Sequence, residues 1–249
     1  MKPVTGHADR QLAPSDPVPF ETLRFDPSVG FVRLERHLAR WRRSSAWLGF
    51  SDDVAPVLDA LQRASAAMTV PHRVRVSLGA GGIEVTATPL PMRTFNDTPE
   101  AALAAAAAVV ASGGALPRAA IARQRVDETD PARSHKTTAR ELYYAGRRLA
   151  EARGLEDVIF LDSRGLLSEG SIATVFIVDE SGGDVQVATP PLSSGALPGV
   201  LREELLETGL VAERDITEDE LRGSSAVLVG SSVRGLRRVL LEEEPVDVS

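Results

Sequence analysis

The amino-acid sequence predicts a two-domain α/β protein with mixed sheets, and three observations carry that prediction. Short stretches with a two-residue apolar period are interleaved with longer ones of helical period. A break rich in proline, alanine and glycine at residues 91–117 separates two such patterned regions. The 249 residues, 43% of them hydrophobic, suffice for one large core or two modest ones.

The opening segment, MKPVTGHADRQLAPSDPVP, holds four prolines and no apolar run, so it reads as a loose lead-in and not as a signal peptide. Phe20–Phe25 (FETLRF) alternates and is followed by DPSVG, a strand and a turn, with a second strand expected at 31–34. Leu34, Leu38, Trp41 and Leu48 then form a helical stripe closed by Gly49. This predicts an amphipathic helix of about 15 residues, with Arg36, Arg40 and Arg43 on a different face. A helix over 52–68 capped by Ser51 or Asp52 follows. Val74, Val76 and Leu78 alternate as a strand ending in GAGG, and 83–88 answers it as a hairpin partner. The boundary is placed near 112, giving domains 1–111 and 112–249, although the alanine tract before it could equally be an inserted helix. Beyond it the pattern predicts a helix at 136–152, strands at 157–162, 173–178 and 184–188, a helix at 199–208 and a strand at 225–229.

Composition excludes several classes of function. The formal charge is -7 and the basic residues are dispersed, so neither a nucleic-acid stripe nor a polybasic membrane segment is expected. Cysteine is absent, which removes disulfides, thiolate metal ligands and cysteine nucleophiles and fits a reducing cytoplasm. The longest uncharged apolar run, Ala101–Gly114, is well short of the ~20 residues that cross a bilayer. No metal is expected.

Four stretches could carry chemistry. In SHKTTAR (134–140), Lys136 is a useful covalent catalyst only if its amine can be neutral near pH 7; Arg140, one helical turn on, is a candidate cationic neighbour, and an ordinary solvated helix start is the bland alternative. In LSEGS (167–171), Glu169 could hold a protonated ring nitrogen or be a turn glutamate. In TPPLSSGALPGVLRE (189–203), Pro198 and Gly199 lead into a helix whose free amides suit a phosphate. In VGSSVRG (229–235), Ser231 and Ser232 offer a second phosphate wall or merely a turn.

In this order and spacing, together with FETLR and HLARW, the stretches resemble the class IV (branched-chain and D-amino acid) aminotransferase family, over about residues 20–240. The resemblance implies a fold type IV enzyme of two α/β domains, with pyridoxal 5'-phosphate (PLP) between them and usually a homodimer. It implies that Lys136 holds PLP as a Schiff base and shuttles protons, that Glu169 partners the pyridine nitrogen, and that Arg40 binds the phosphate with its bidentate fork. The backbone amides of Val200 and Leu201, with Ser231 and Ser232, complete the phosphate site. Thr22, Arg24 and Arg140 are candidate substrate contacts.

Some positions depart from the family. Pro17-Val18-Pro19 stands where an R-G-x-x-Y-G-D-G stretch is usual, Thr174 replaces an asparagine, and Leu201 replaces a threonine, losing a hydroxyl from the phosphate loop. Within the family, FETLR, HLARW and SHKTTAR favour an aminodeoxychorismate lyase, which forms 4-aminobenzoate and pyruvate. A branched-chain or D-amino acid aminotransferase is the alternative, and a binding protein with impaired cofactor turnover is the reading from another class.

Overall fold

Strand β1 (Phe20–Asp26) places Leu23 and Phe25 on one face, which packs beneath two helices, α1 (Leu34–Trp47) and α2 (Ala55–Ser65). The structure, a computed structural model, describes residues 16–91, 98, 100, 101, 103, 104, 116–181 and 184–248. These fall into two units: residues up to 91 with His135–Ala139, and the rest. The expected boundary near 112, the lead-in up to residue 15 and most of the alanine tract lie outside the described residues.

The first unit is a four-stranded sheet of order β2-β1-β3-β4, with β2 Gly30–Phe31, β3 His72–Gly79 and β4 Gly82–Pro89. All its pairings are antiparallel: β1–β2 and β3–β4 are joined by short hairpins, which permit only antiparallel neighbours, and β1–β3 are joined through α1 and α2. Leu23, Leu38, Trp41, Val54, Val57, Leu61, Val74 and Val76 form its core. Full burial of such side chains stabilises by roughly 1.5–3 kcal/mol each. Helix α2 starts later than expected: its N-cap position is Val54, which makes no side-chain cap bond, and Asp53 Oδ1 accepts from the Ala55 amide at 3.0 Å. The strand expected at 31–34 shrinks because Arg33 is left-handed (φ 57°) and α1 begins at Leu34.

Residues 135–139 are extended, not the start of a helix. Thr137 bridges Pro19 antiparallel, Phe20 N–H donates to the Lys136 carbonyl at 3.1 Å, and Thr138 N–H donates to Val18 O at 3.0 Å. These backbone groups are committed to the bridge with residues 18–20, and helix α3 starts only at Glu141 (Glu141–Arg153).

The second unit is an eight-stranded mixed sheet of order β10-β9-β8-β11-β12-β5-β6-β7. Its strands are β5 (Arg118–Val126), β6 (Asp157–Asp162), β7 (Leu167–Gly170), β8 (Thr174–Ser181), β9 (Asp184–Thr189), β10 (Ala212–Glu213), β11 (Ala226–Ser231) and β12 (Gly235–Leu241). Strands β5, β6 and β12 pair in parallel. Helix α4 (Val200–Glu207) and helix α5 (Glu218–Gly223), the latter with a capping box from Thr217 and Glu220, complete the unit. Strands β5, β7, β10 and β12 and helix α5 were not expected. Among the described residues no helix is long and apolar enough to cross a membrane, and no group of three His, Asp or Glu side chains could hold a metal ion.

Candidate active site

In the first unit the lysine segment is held from two sides. Besides the bonds to residues 18 and 20, the Lys136 amide donates to Ser44 Oγ on α1 at 3.0 Å, and the His135 ring stacks on Trp47, one helical turn further, at 4.6 Å. The Lys136 ammonium lies 4.6 Å from the centre of the Phe20 ring, and the Arg75 guanidinium lies 3.8 Å from the same ring. The cation sharing that ring with Lys136 is Arg75; Arg140, the neighbour that helical spacing suggested, belongs to the second unit.

Arg40 is 4% exposed and its fork is engaged: Nε donates to Glu21 Oε1 at 2.7 Å and Nη2 to Glu21 Oε2 at 2.8 Å. His37 Nδ1 meets the same Oε2 at 2.8 Å. Helical spacing puts His37, Arg40 and Ser44 on one face of α1, while strand alternation puts Glu21 on the inward face with Leu23. Although burial opposes it, the carboxyl of Glu21 is held well below the usual range by Arg40 and then His37. Burial lowers His37 despite the pull of Glu21, so its imidazole is neutral and donates. Glu21 and His37 were not singled out from the sequence. The signal was available, since an acidic residue at an inward strand position needs a buried partner. Thr22 and Arg24 occupy the opposite face of β1, where the register sets them beside Arg75 and Arg73; Arg24 is buried.

In the second unit Glu169 sits in β7 and not in a turn. Its Oε1 accepts from Arg140 Nη2 at 3.3 Å and from the Tyr143 hydroxyl, which in turn accepts from Arg133 Nη1 at 2.6 Å. Among the described residues Oε2 has no protein donor. The segment after Glu169 is fixed by Asp157: its Oδ1 accepts from Ser171 N at 2.9 Å, Ser171 Oγ at 2.5 Å and Val158 N at 2.9 Å. Burial pushes the Asp157 carboxyl up to about 6.

The two expected phosphate walls lie together in this unit. A Cβ built on Gly199, the residue before α4, would come 2.6 Å from Thr174 Oγ1, and one on Gly230 would come 3.3 Å from Leu201 Cδ2. Thr174 and Gly230 are paired across β8 and β11. Glycine is therefore required for α4 to start against β8 and β11. Because Gly199 has no side chain to cap the helix, the amides of Val200 and Leu201 remain for a ligand. The Leu201 side chain is in a core cluster with Phe176, Leu205, Val211 and Leu228, so only its amide can serve. Ser231 ends β11 and its Oγ accepts from Arg234 N at 3.3 Å, while Ser232 is buried beside it. Of the expected site residues, Lys136, Arg40, Thr22 and Arg24 thus belong to the first unit, and Glu169, Arg140, Val200, Leu201, Ser231 and Ser232 to the second.

The model of the family "Amino-transferase class IV" matches residues 19–241. A Schizosaccharomyces pombe protein provisionally named an aminodeoxychorismate lyase is 26% identical over 231 residues, 91% of this chain and 90% of its own length. The aminodeoxychorismate lyase of Saccharomyces cerevisiae is 35% identical over 116 residues, which are 41% of this chain and only 31% of the yeast protein. Among solved structures, a Mesorhizobium loti protein provisionally named an amino-acid aminotransferase superposes with a TM-score of 0.76 at 32% identity, covering 91% of this chain and 100% of that one.

Proposed function

The chain belongs to the class IV amino-transferase family, and from that membership we propose that it is an aminodeoxychorismate lyase that holds PLP on Lys136 and converts 4-amino-4-deoxychorismate to 4-aminobenzoate and pyruvate. The observation that supports the lyase most is the match to the fission-yeast protein of that name across nine-tenths of both chains. The cofactor reading is supported by residues that fit it. Glu169 has one oxygen saturated by protein donors and one without a donor, suited to a protonated ring nitrogen. The uncapped amides of Val200 and Leu201 suit a phosphate, as do the hydroxyls of Ser231 and Ser232.

When bound, PLP supplies an electron sink for the charge left as a proton departs from the amine-bearing carbon. Lys136 would hold it until the substrate amine takes its place, and the freed lysine amine would then take that proton and return one to the departing enolpyruvyl group as the substrate ring becomes aromatic. Glu169 keeps the ring nitrogen positive. Arg40, already oriented by Glu21, adds charge for the phosphate. A homodimer in the cytoplasm accompanies this reading.

The Mesorhizobium structure supports a second reading, transamination of an amino acid. A lyase needs no acceptor, whereas a transaminase leaves its cofactor in the amine form and stops without a keto acid. The test is turnover of aminodeoxychorismate with every keto acid omitted. Sustained formation of pyruvate and 4-aminobenzoate is expected. Bleaching of the cofactor by an L- or D-amino acid, with no aromatic product, moves the assignment to the aminotransferase. A colourless, inactive protein would point to the binding-only reading.

A further inference from the structure

Tyr143 and Arg133 stand behind Glu169 and have no part in the chemistry so far. Tyr143 is 6% exposed, wedged edge-on against Phe160 at 5.4 Å and beneath the Arg140 guanidinium, 4.0 Å from its ring centre. Its hydroxyl gives its one proton to Glu169 Oε1 and takes a hydrogen bond from Arg133 at 2.6 Å. Arg133 is itself anchored, its Nε donating to the Asp127 carbonyl at 2.7 Å. Burial, with the Glu169 charge beside it, raises the phenol far above its ordinary value, so it remains a neutral donor.

These contacts are one-sided. Two donors converge on Oε1, and none of the described groups donates to Oε2. We propose that Tyr143, gripped by Arg133, is a positioning residue that saturates Oε1 of Glu169, so that Oε2 alone faces the ring nitrogen of a bound cofactor and leaves the shared proton on that nitrogen. Donors on Oε1 draw the carboxylate's charge toward that oxygen and make Oε2 the poorer proton acceptor. Without them the proton moves toward the carboxylate and the ring withdraws electrons less well. Arg140 supplies the second donor and, lying over the phenol, keeps the ring of Tyr143 in place.

The inference rests on the assignment of Glu169 to the ring nitrogen, and the experiment separates the two. The holoenzyme is reconstituted with PLP carrying 15N in its ring, and the 15N resonance is compared with free PLP titrated from acid to base. The wild-type protein should give the protonated position. In Tyr143→Phe the resonance should move part of the way toward the unprotonated position, and the single-turnover rate should fall about 10-fold, the scale of one lost hydrogen bond to a charged acceptor. Tyr144→Phe, on the exposed neighbour, should change neither. Glu169→Gln should move the resonance fully. If Glu169→Gln moves it and Tyr143→Phe does not, the positioning role is refuted while the Glu169 assignment stands. If Glu169→Gln leaves it in place, the assignment itself fails. Should Tyr143→Phe not fold, Arg133→Gln, which removes the grip on the phenol without opening the core, is expected to move the resonance in the same direction, and an unmoved resonance there refutes the proposal.

Discussion

Replacing Glu21 by Gln tests how the first unit holds Arg40, the arginine proposed for the phosphate. The carboxylate is 2% exposed and receives three donors: Arg40 Nε at 2.7 Å, Arg40 Nη2 at 2.8 Å and His37 Nδ1 at 2.8 Å. An amide of the same size keeps one acceptor but turns its NH2 toward a donor, and it leaves the buried guanidinium without a counter-charge. Breaking a buried pair in this way costs roughly 3–5 kcal/mol, a large share of the ~5–15 kcal/mol that holds a typical domain. With a urea slope of about 2 kcal/mol per molar, the unfolding midpoint of the cofactor-free protein should drop by about 2 M. Exchanging both partners, Glu21→Met with Arg40→Met, removes the stranded charge together with its partner and should recover most of the loss. A midpoint within about 0.5 M of wild type for Glu21→Gln would refute the argument. So would a double variant that is worse than the single.

Other outcomes are expected. Borohydride treatment of the PLP-loaded protein should leave the cofactor on Lys136 as a stable secondary amine, and peptide mapping that finds it on Lys2 overturns the site; Lys136→Ala should unfold like wild type yet not turn over. Gly199→Ala, whose Cβ would lie 2.6 Å from Thr174 Oγ1, should cost roughly 1–3 kcal/mol and weaken PLP binding in a fluorescence titration, and Thr174→Ala should relieve it. His37 is lowered from 6.5 by burial, so it binds fewer protons folded than unfolded and stability rises with pH. Asp157, raised from 3.8 to about 6, acts in the opposite sense below that value. Thermal midpoints should therefore rise between about pH 6 and 7, and His37→Gln should flatten the rise; an equal slope in the variant would assign it to another group.

Strands β6, β8, β9 and β11 of the second unit were legible because they are short, largely apolar runs with clear ends. Asp157–Asp162 has all six residues buried, and its bounds match those expected. Strand β5 was not legible: RAAIARQRV is rich in alanine and arginine, residues with little strand preference, and only the sheet on either side makes it extended. The stretch after Gly235 shows no clear strand pattern, yet GLRRVLL is a strand, with Arg237 bonding Glu156 at 2.6 Å. The lysine segment misled for a related reason. Its residues favour a helix start, and the pairing that makes it extended comes from residues 18–20, more than a hundred positions earlier. The motif residues themselves were visible. What stands behind them was not: Tyr143 appears in the sequence only as an aromatic on a helix, and its bond to Glu169 depends on a strand that was read as a turn.

The Pro17-Val18-Pro19 stretch works as a ruler for the lysine. Val18 and Phe20 have amides, and both are used toward residues 136–138; Pro17 and Pro19 have none to give. Sliding this strand by one residue would set a nitrogen without hydrogen where Lys136 or Thr138 needs a donor, so every neighbouring register loses bonds that the native one makes. What is demanded of these positions is a spacing of donors and not particular side chains. A proline-rich entry segment therefore sets the index of Lys136 as well as a glycine-rich one would, and substitutions that restore an amide at 17 or 19 should be tolerated more readily than a proline at 18.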